Sequence, residues 1–259
     1  MQEAKRSGDL VVLGCGLNAL SVTEWALGDL TRSRCTRDES IAAFTAANHA
    51  WGLALGVVLQ ARTAIDGGEA QAERLALDGL QAARSTGDLH LVGIALEQAT
   101  RLALRAGRLD EASDHAIESV AVQERIGYTE GVIASLHLLG QATLAKGDAP
   151  TAEAHHRRAL SLAMTIGHAA AICEAPEGLA QVAAADGEER RAASLLNLAE
   201  HHRDLRSLPR RLDDEQWVSA LRSRVRGEHA ISTGRESLED AARAVLQESP
   251  RDGSPIPSG

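Results

Sequence analysis

Apolar-periodic runs of helix length follow one another along this chain, separated by short polar turns, and a glycine closes each run. Glycine stands at positions 87, 107, 127, 147, 167 and 187, one every 20 residues. Gly67 extends the series backwards, and Ala47-Asn48 and Gly28 continue it with one residue of drift. Helices commonly end on a left-handed residue, a conformation glycine adopts without steric cost. Most beats are followed by a polar residue and a new run, as in Gly87-Asp88, Gly147-Asp148 and Gly187-Glu188. Asp88 and Asp148 are thereby placed as N-caps or first-turn acids. A helix of about 18 residues spans roughly 27 Å, and short turns set neighbours antiparallel. Two helices make a unit of about 40 residues, within the range of helical solenoids.

Odd and even helices differ, as two halves of a repeat must. Gly67, Gly107, Gly147 and Gly187 are followed five residues later by Ala72, Ala112, Ala152 and Ala192, and twelve residues later by Gly79, Ser119, Ala159 and Ala199. Small residues at fixed places in every second helix let neighbours approach closely. This phase puts Ala152 in a helix–helix contact and Arg157 on an exposed face. Helix pairs are expected at about 9–46, 50–86, 89–126, 129–166 and 169–206, so that residues 1–206 hold five repeats. Pro176 should start the ninth helix late, near Glu177, or kink it. Two capping helices are expected in 207–248, at about 213–226 and 237–248, the second with Ser237 as N-cap. The Pro/Ser/Gly-rich end, 249–259, reads as a disordered tail.

In the fourth unit Leu136, Leu139 and Gly140 form a large-apolar, apolar, glycine signature, and Ala152 and Ala159 are small positions of the following helix, with His156 between them where an aromatic is usual. This pattern resembles the tetratricopeptide repeat (TPR) in its 40-residue form, over roughly residues 9–206. Thr100 and Ala180 stand in place of Gly140 in the neighbouring units, and Pro176 in place of Leu136. The resemblance implies an all-α fold, a right-handed α-solenoid of antiparallel helix pairs. Leu208-Pro209, Trp217-Val218-Ser219-Ala220-Leu221 and Gly234-Arg235-Glu236-Ser237-Leu238-Glu239-Asp240-Ala241 resemble the end of the MalT-like TPR region of bacterial LuxR-type, signal-transducing ATPase regulators. This chain has no GxxxxGK[ST] phosphate loop and no helix-turn-helix after that segment. The resemblance therefore implies a sensor or scaffold region rather than a motor or a DNA reader.

Composition changes the picture little. Apolar residues make up 44% of the chain and aromatics 2%, a core of Ala, Leu and Val suited to thin stacked helices. A net charge of −9 argues against non-specific binding to DNA or an anionic membrane. No apolar run reaches the ~18 residues of a membrane span, and the first residues lack a signal-peptide core. Cys15, Cys35 and Cys173 are too few and too scattered for a disulfide framework, which fits a reducing cytoplasm.

Candidate chemistry is thin. Leu10 to Ala19, LVVLGCGLNA, imitates the strand and GxGxxG start of a dinucleotide fold, and Asp38 and Glu39 lie about 20 residues on, but no strand–helix alternation follows. His155-His156 and His201-His202 are adjacent pairs that diverge on a helix, and His115 and His155 are repeat equivalents without a third ligand. All read as solvated or half-buried polar residues. No GxSxG, CxxC or HExxH motif occurs, so neither catalytic residues nor a metal or other cofactor is expected. His201–Arg226 holds seven arginines against four acids, a basic face suited to an acidic partner surface.

Function then rests on the resemblance. TPR stacks carry a concave groove lined by first-helix side chains. Counting from Gly140, the partner-binding residues are Glu97, Arg101, Arg105, His137, Gln141, Glu177 and Gln181. The expected partner is a protein or peptide, within a signalling or transcription-regulatory assembly. The alternative is a remnant of a LuxR-type regulator whose TPR region binds a small-molecule effector.

Overall fold

The computed structural model describes residues 9–208, 210, 212–225 and 238–247. Among them every regular element is an α-helix: α1 (Leu10–Ala26), α2 (Leu30–Ala46), α3 (Ala50–Asp66), α4 (Ala72–Thr86), α5 (Leu89–Arg105), α6 (Leu109–Arg125), α7 (Thr129–Ala145), α8 (Ala149–Ile166), α9 (Ala169–Ala185), α10 (Glu189–Arg206), α11 (Leu212–Val225) and α12 (Leu238–Gln247). The fold is all-α, of the helical-repeat solenoid class. The helices fall into two compact units, residues 1–102 and 103–259, with α5 crossing the boundary. None is long and apolar enough to cross a membrane. Ser237 and the 249–259 tail lie outside the described residues.

The glycine beat has its expected cause. Gly87, Gly107, Gly127, Gly147, Gly167 and Gly187 all hold φ between 68° and 89°, in the left-handed region. In the earlier turns Gly68, Asn48 and Gly28 hold it instead. Gly67 is right-handed, at φ −79°, so the drift begins one turn later in the chain than the sequence series implies. Ser207 continues the beat at φ 51°, a position with no glycine to announce it. The next helix starts on a side-chain acceptor in several turns. Asp88 Oδ1 accepts from the backbone N–H of His90 and Leu91 at 2.9 and 3.2 Å, and Asp148 Oδ1 from Thr151 at 3.1 Å. Two histidines do the same work, His49 Nδ1 for Gly52 and His168 Nδ1 for Ala171, both at 3.1 Å.

In the first unit α1 packs on α2, α2 on α3 and α3 on α4. Phe44, the chain's single phenylalanine, is fully buried. A Cβ added at Gly14 or Gly52 would come within 2.7 or 2.3 Å of its ring. The first glycine of the dinucleotide-like stretch thus admits Phe44, and that stretch is helical throughout. Trp25 Nε1 donates to Asp66 and Trp51 Nε1 to Asp88, both at 2.6 Å, tying helices together across the unit.

In the second unit α6 packs on α7, α7 on α8, α8 on α9 and α9 on α10, and one apolar cluster runs from Val120 through α7–α10 to α11 and α12. Ala112, Ala152 and Ala192 are all buried, as are Ser119, Ala159 and Ala199, in keeping with the small-residue phase. Pro176 lies buried inside α9, which begins at Ala169 on its His168 cap. The late start near Glu177 is therefore corrected: the cap, nine residues upstream of Glu177, sets the helix origin.

Candidate functional site

His137 and Gln141 lie one turn apart on α7 and share a hydrogen bond between the Gln141 amide and His137 Nε2 (3.1 Å). His137 is buried, and its ring meets that of His156 on α8 edge to face, with centroids 5.1 Å apart. The His156 ring fills a socket made by two absent side chains. A Cβ at Gly140 (α7) or Gly178 (α9) would fall 2.6 or 2.4 Å from it. It is fully buried, and neither ring nitrogen has a hydrogen-bond partner among the described residues. The expectation of a solvated or half-buried residue is therefore wrong for His156, because two helices close over it.

Burial, then the neighbouring rings of His137 and His155, hold the His156 pKa well below the ordinary value of 6.5. Above that value the ring is neutral in both folded and unfolded chains and adds no pH dependence. As pH falls through it, the unfolded chain takes up a proton that the socket refuses, so stability declines. Urea midpoints should thus fall between pH 7.5 and 5.5, and His156→Phe, which keeps a ring in the socket, should flatten that fall. Equal slopes for the two proteins would remove His156 from the account.

Glu177 on α9 is 1% exposed. It accepts from Arg203 Nε and Nη2 (2.7 and 3.1 Å) and from Arg210 Nε and Nη2 (3.0 and 2.8 Å). Burial opposes the Arg203 charge, but its hydrogen bonds to Glu177 outweigh that, and its pKa lies above the usual guanidinium value. Arg210 also pairs with Glu215 at 2.6 Å, and Arg222 pairs with Glu200. Glu177 as a groove contact is therefore corrected: its carboxylate is enclosed by two guanidinium groups from the chain that follows α9. Within the basic stretch 201–226, three of the seven arginines, Arg203, Arg210 and Arg222, pair with acids of the protein itself.

The other sequence-predicted groove residues divide by exposure. In the first unit Glu97 is half-buried and Arg101 is 7% exposed, with its Nε buried and without a hydrogen-bond partner. In the second unit Arg105 is exposed and Gln141 and Gln181 are half-buried. Arg101, His137 and Glu177 are thus interior side chains. Glu97, Arg105, Gln141 and Gln181 stay accessible.

Arg157 on α8 corrects the helix phase. It is 3% exposed. Its Nε donates to Glu153 at 3.0 Å and its Nη1 to the Val245 carbonyl of α12 at 2.8 Å. Glu153 also accepts from Arg191 Nη2 at 2.9 Å. The outward face expected there is covered by a helix 88 residues away in sequence. In the first unit, sequence reading also missed Arg37, which is fully buried. Burial, with Arg62 alongside, lowers its pKa to about 9 against the pull of Asp38.

Among the described residues no group of three or more His, Cys, Asp and Glu side chains is placed to hold a metal ion. Cys15 and Cys35 are exposed free thiols, and burial pushes the Cys173 thiol up to about 11, far from a reactive thiolate. No curated protein matches the chain. Residues 92–165, from within α5 to the end of α8, match the family model of the tetratricopeptide repeat.

Proposed function

We propose that the chain is a protein-interaction scaffold or sensor region that takes a protein or peptide partner on the first-helix faces of its repeats, inside a cytoplasmic signalling or transcription-regulatory assembly. The TPR match over 92–165 carries this reading, because TPR regions generally mediate protein–protein contact. Partner contact falls to the accessible polar side chains, above all Arg105, Gln141 and Gln181 in the second unit. The regulatory setting is supported by the likeness of the C-terminal segment to the end of MalT-like TPR regions. The protein acts by binding, without catalysis of its own.

The test is capture of a partner from the native cell by the intact chain, followed by titration of that purified partner against variants. Arg105→Glu and Gln181→Arg should each weaken binding at least tenfold while stability changes by less than about 0.5 kcal/mol, as is usual for surface substitutions. Unchanged affinity in both variants would contradict the assignment. A metabolite that raised the melting temperature by mass action, with no protein captured, would favour a small-molecule effector instead.

A further inference from the structure

The second unit holds a helix in a place that the repeat itself leaves open. Arg157 and Glu153 lie on α8, and their equivalents forty residues earlier are Ile117 and Ser113 on α6. Ile117 is 55% exposed. The buried state of Arg157 therefore comes from α12 and not from the repeat. α12 packs on both α8 and α9. It buries Ala242 and Val245, with Leu246 partly buried beside them, in the unit's apolar cluster. Its opposite face, with the Asp240–Arg243 pair, is in solvent.

The contact has both polar and apolar parts. The last four carbonyls of a helix have no partner within it, and the Val245 carbonyl belongs to that group in a helix ending at Gln247. The Arg157 guanidinium supplies the missing donor at 2.8 Å and sets a cation at the negative end of the helix dipole. Glu153 and Arg191 fix that guanidinium in place. Such a site recognises a helix by its C-terminal end and a small-apolar stripe, features that many short amphipathic helices share. α12 itself has only ten residues, fewer than the ~12–15 at which an isolated helix becomes marginally stable in water. Its helical form thus depends on docking.

We propose that the α8–α9 face around Arg157 is a binding site for a short amphipathic helix of a partner protein, and that α12 occupies it in cis until the partner displaces it. The partner helix carries Ala- or Val-sized residues three apart in its last turns and presents a C-terminal carbonyl to Arg157. This site uses different residues from the first-helix face, so its test stands apart from that of the proposed function.

The probe is a synthetic, fluorescently labelled peptide of residues 237–248, titrated against the full-length chain by anisotropy. The wild-type chain should bind it weakly, because the tethered copy competes at an effective concentration in the millimolar range. Val245→Asp in the chain, which undocks the tethered helix, should tighten peptide binding at least tenfold. Adding Arg157→Gln should reverse that gain, and a peptide carrying Val245→Asp should not bind. Two results would overturn the proposal. One is a folded Val245→Asp chain that binds the peptide no better than wild type. The other is loss of the helical repeats in Val245→Asp, since an exchangeable helix must leave a folded face behind.

Discussion

Glu177→Ala is expected to destabilise the second unit by about 3–5 kcal/mol, the usual cost of removing one partner from a buried ion pair. The carboxylate is 1% exposed and accepts four hydrogen bonds from two guanidinium groups. Without it Arg203 keeps its charge in the interior and loses its two hydrogen bonds to a buried carboxylate, while Arg210 retains Glu215 at the surface. The loss falls on the joint between α9, α10 and the segment leading to α11, so those elements should loosen first. Glu177→Gln retains one acceptor oxygen and should cost less than Glu177→Ala. Urea unfolding followed by far-UV circular dichroism measures both. A midpoint shift worth less than about 1 kcal/mol for the alanine variant would show that solvent reaches these arginines and that the network is peripheral.

Ala152→Arg should be of comparable size. Ala152 is 0% exposed and packs with Ala149 of its own helix, Leu144 of α7 and Val182 of α9. Arginine there overpacks a contact that alanine just fills and brings in a charge without a partner, for a cost of about 3 kcal/mol or more. Two companion variants fix the order. Arg157→Ala strips a donor from the Val245 carbonyl and a cation from Glu153, and should cost about 1.5–3 kcal/mol, as for hydrogen bonds to charged groups. Arg158→Ala breaks an exposed pair with Glu124, worth about 0–1 kcal/mol. Melting of the three variants side by side should rank Ala152→Arg lowest and Arg158→Ala nearest to wild type. Arg157→Ala melting like wild type would mean that α12 contributes nothing to the unit.

These variants mark the line between what was legible in the sequence and what was not. The repeat was legible because its determinants are local. A left-handed glycine, a capping acid and an alanine at a fixed phase each act within a few residues, and their 20-residue recurrence shows through an otherwise ordinary composition. The stretch from Gly14 to Ala19 was legible as helix only through the missing strand–helix alternation downstream, and the role of Gly14 as a seat for Phe44 depends on a ring 30 residues away. The exposure of the expected groove residues was only half legible. Register separates the half-buried Gln141 and Gln181 from the buried alanines around them. It carries no information about Arg210, which reaches Glu177 from 33 residues downstream, or about Val245, which reaches Arg157 from 88. Helix phase assigns a face, and the C-terminal helices then change what covers that face. His156 lies in between: its place in the repeat calls for an aromatic, and Gly140 signals room for one, but the contribution of Gly178 needs the third helix in position.

The central claim is that this repeat region works by holding a protein on its accessible first-helix side chains. Site-specific photo-crosslinking in the native cell tests it most directly, with a benzophenone amino acid placed in turn at Arg105, Gln141 and Gln181, and at Asp78 on exposed α4 surface as a control. The account predicts that one protein species is captured from the first three positions and not from the fourth. Equal capture at all four positions, or no protein adduct at any of them, would contradict it.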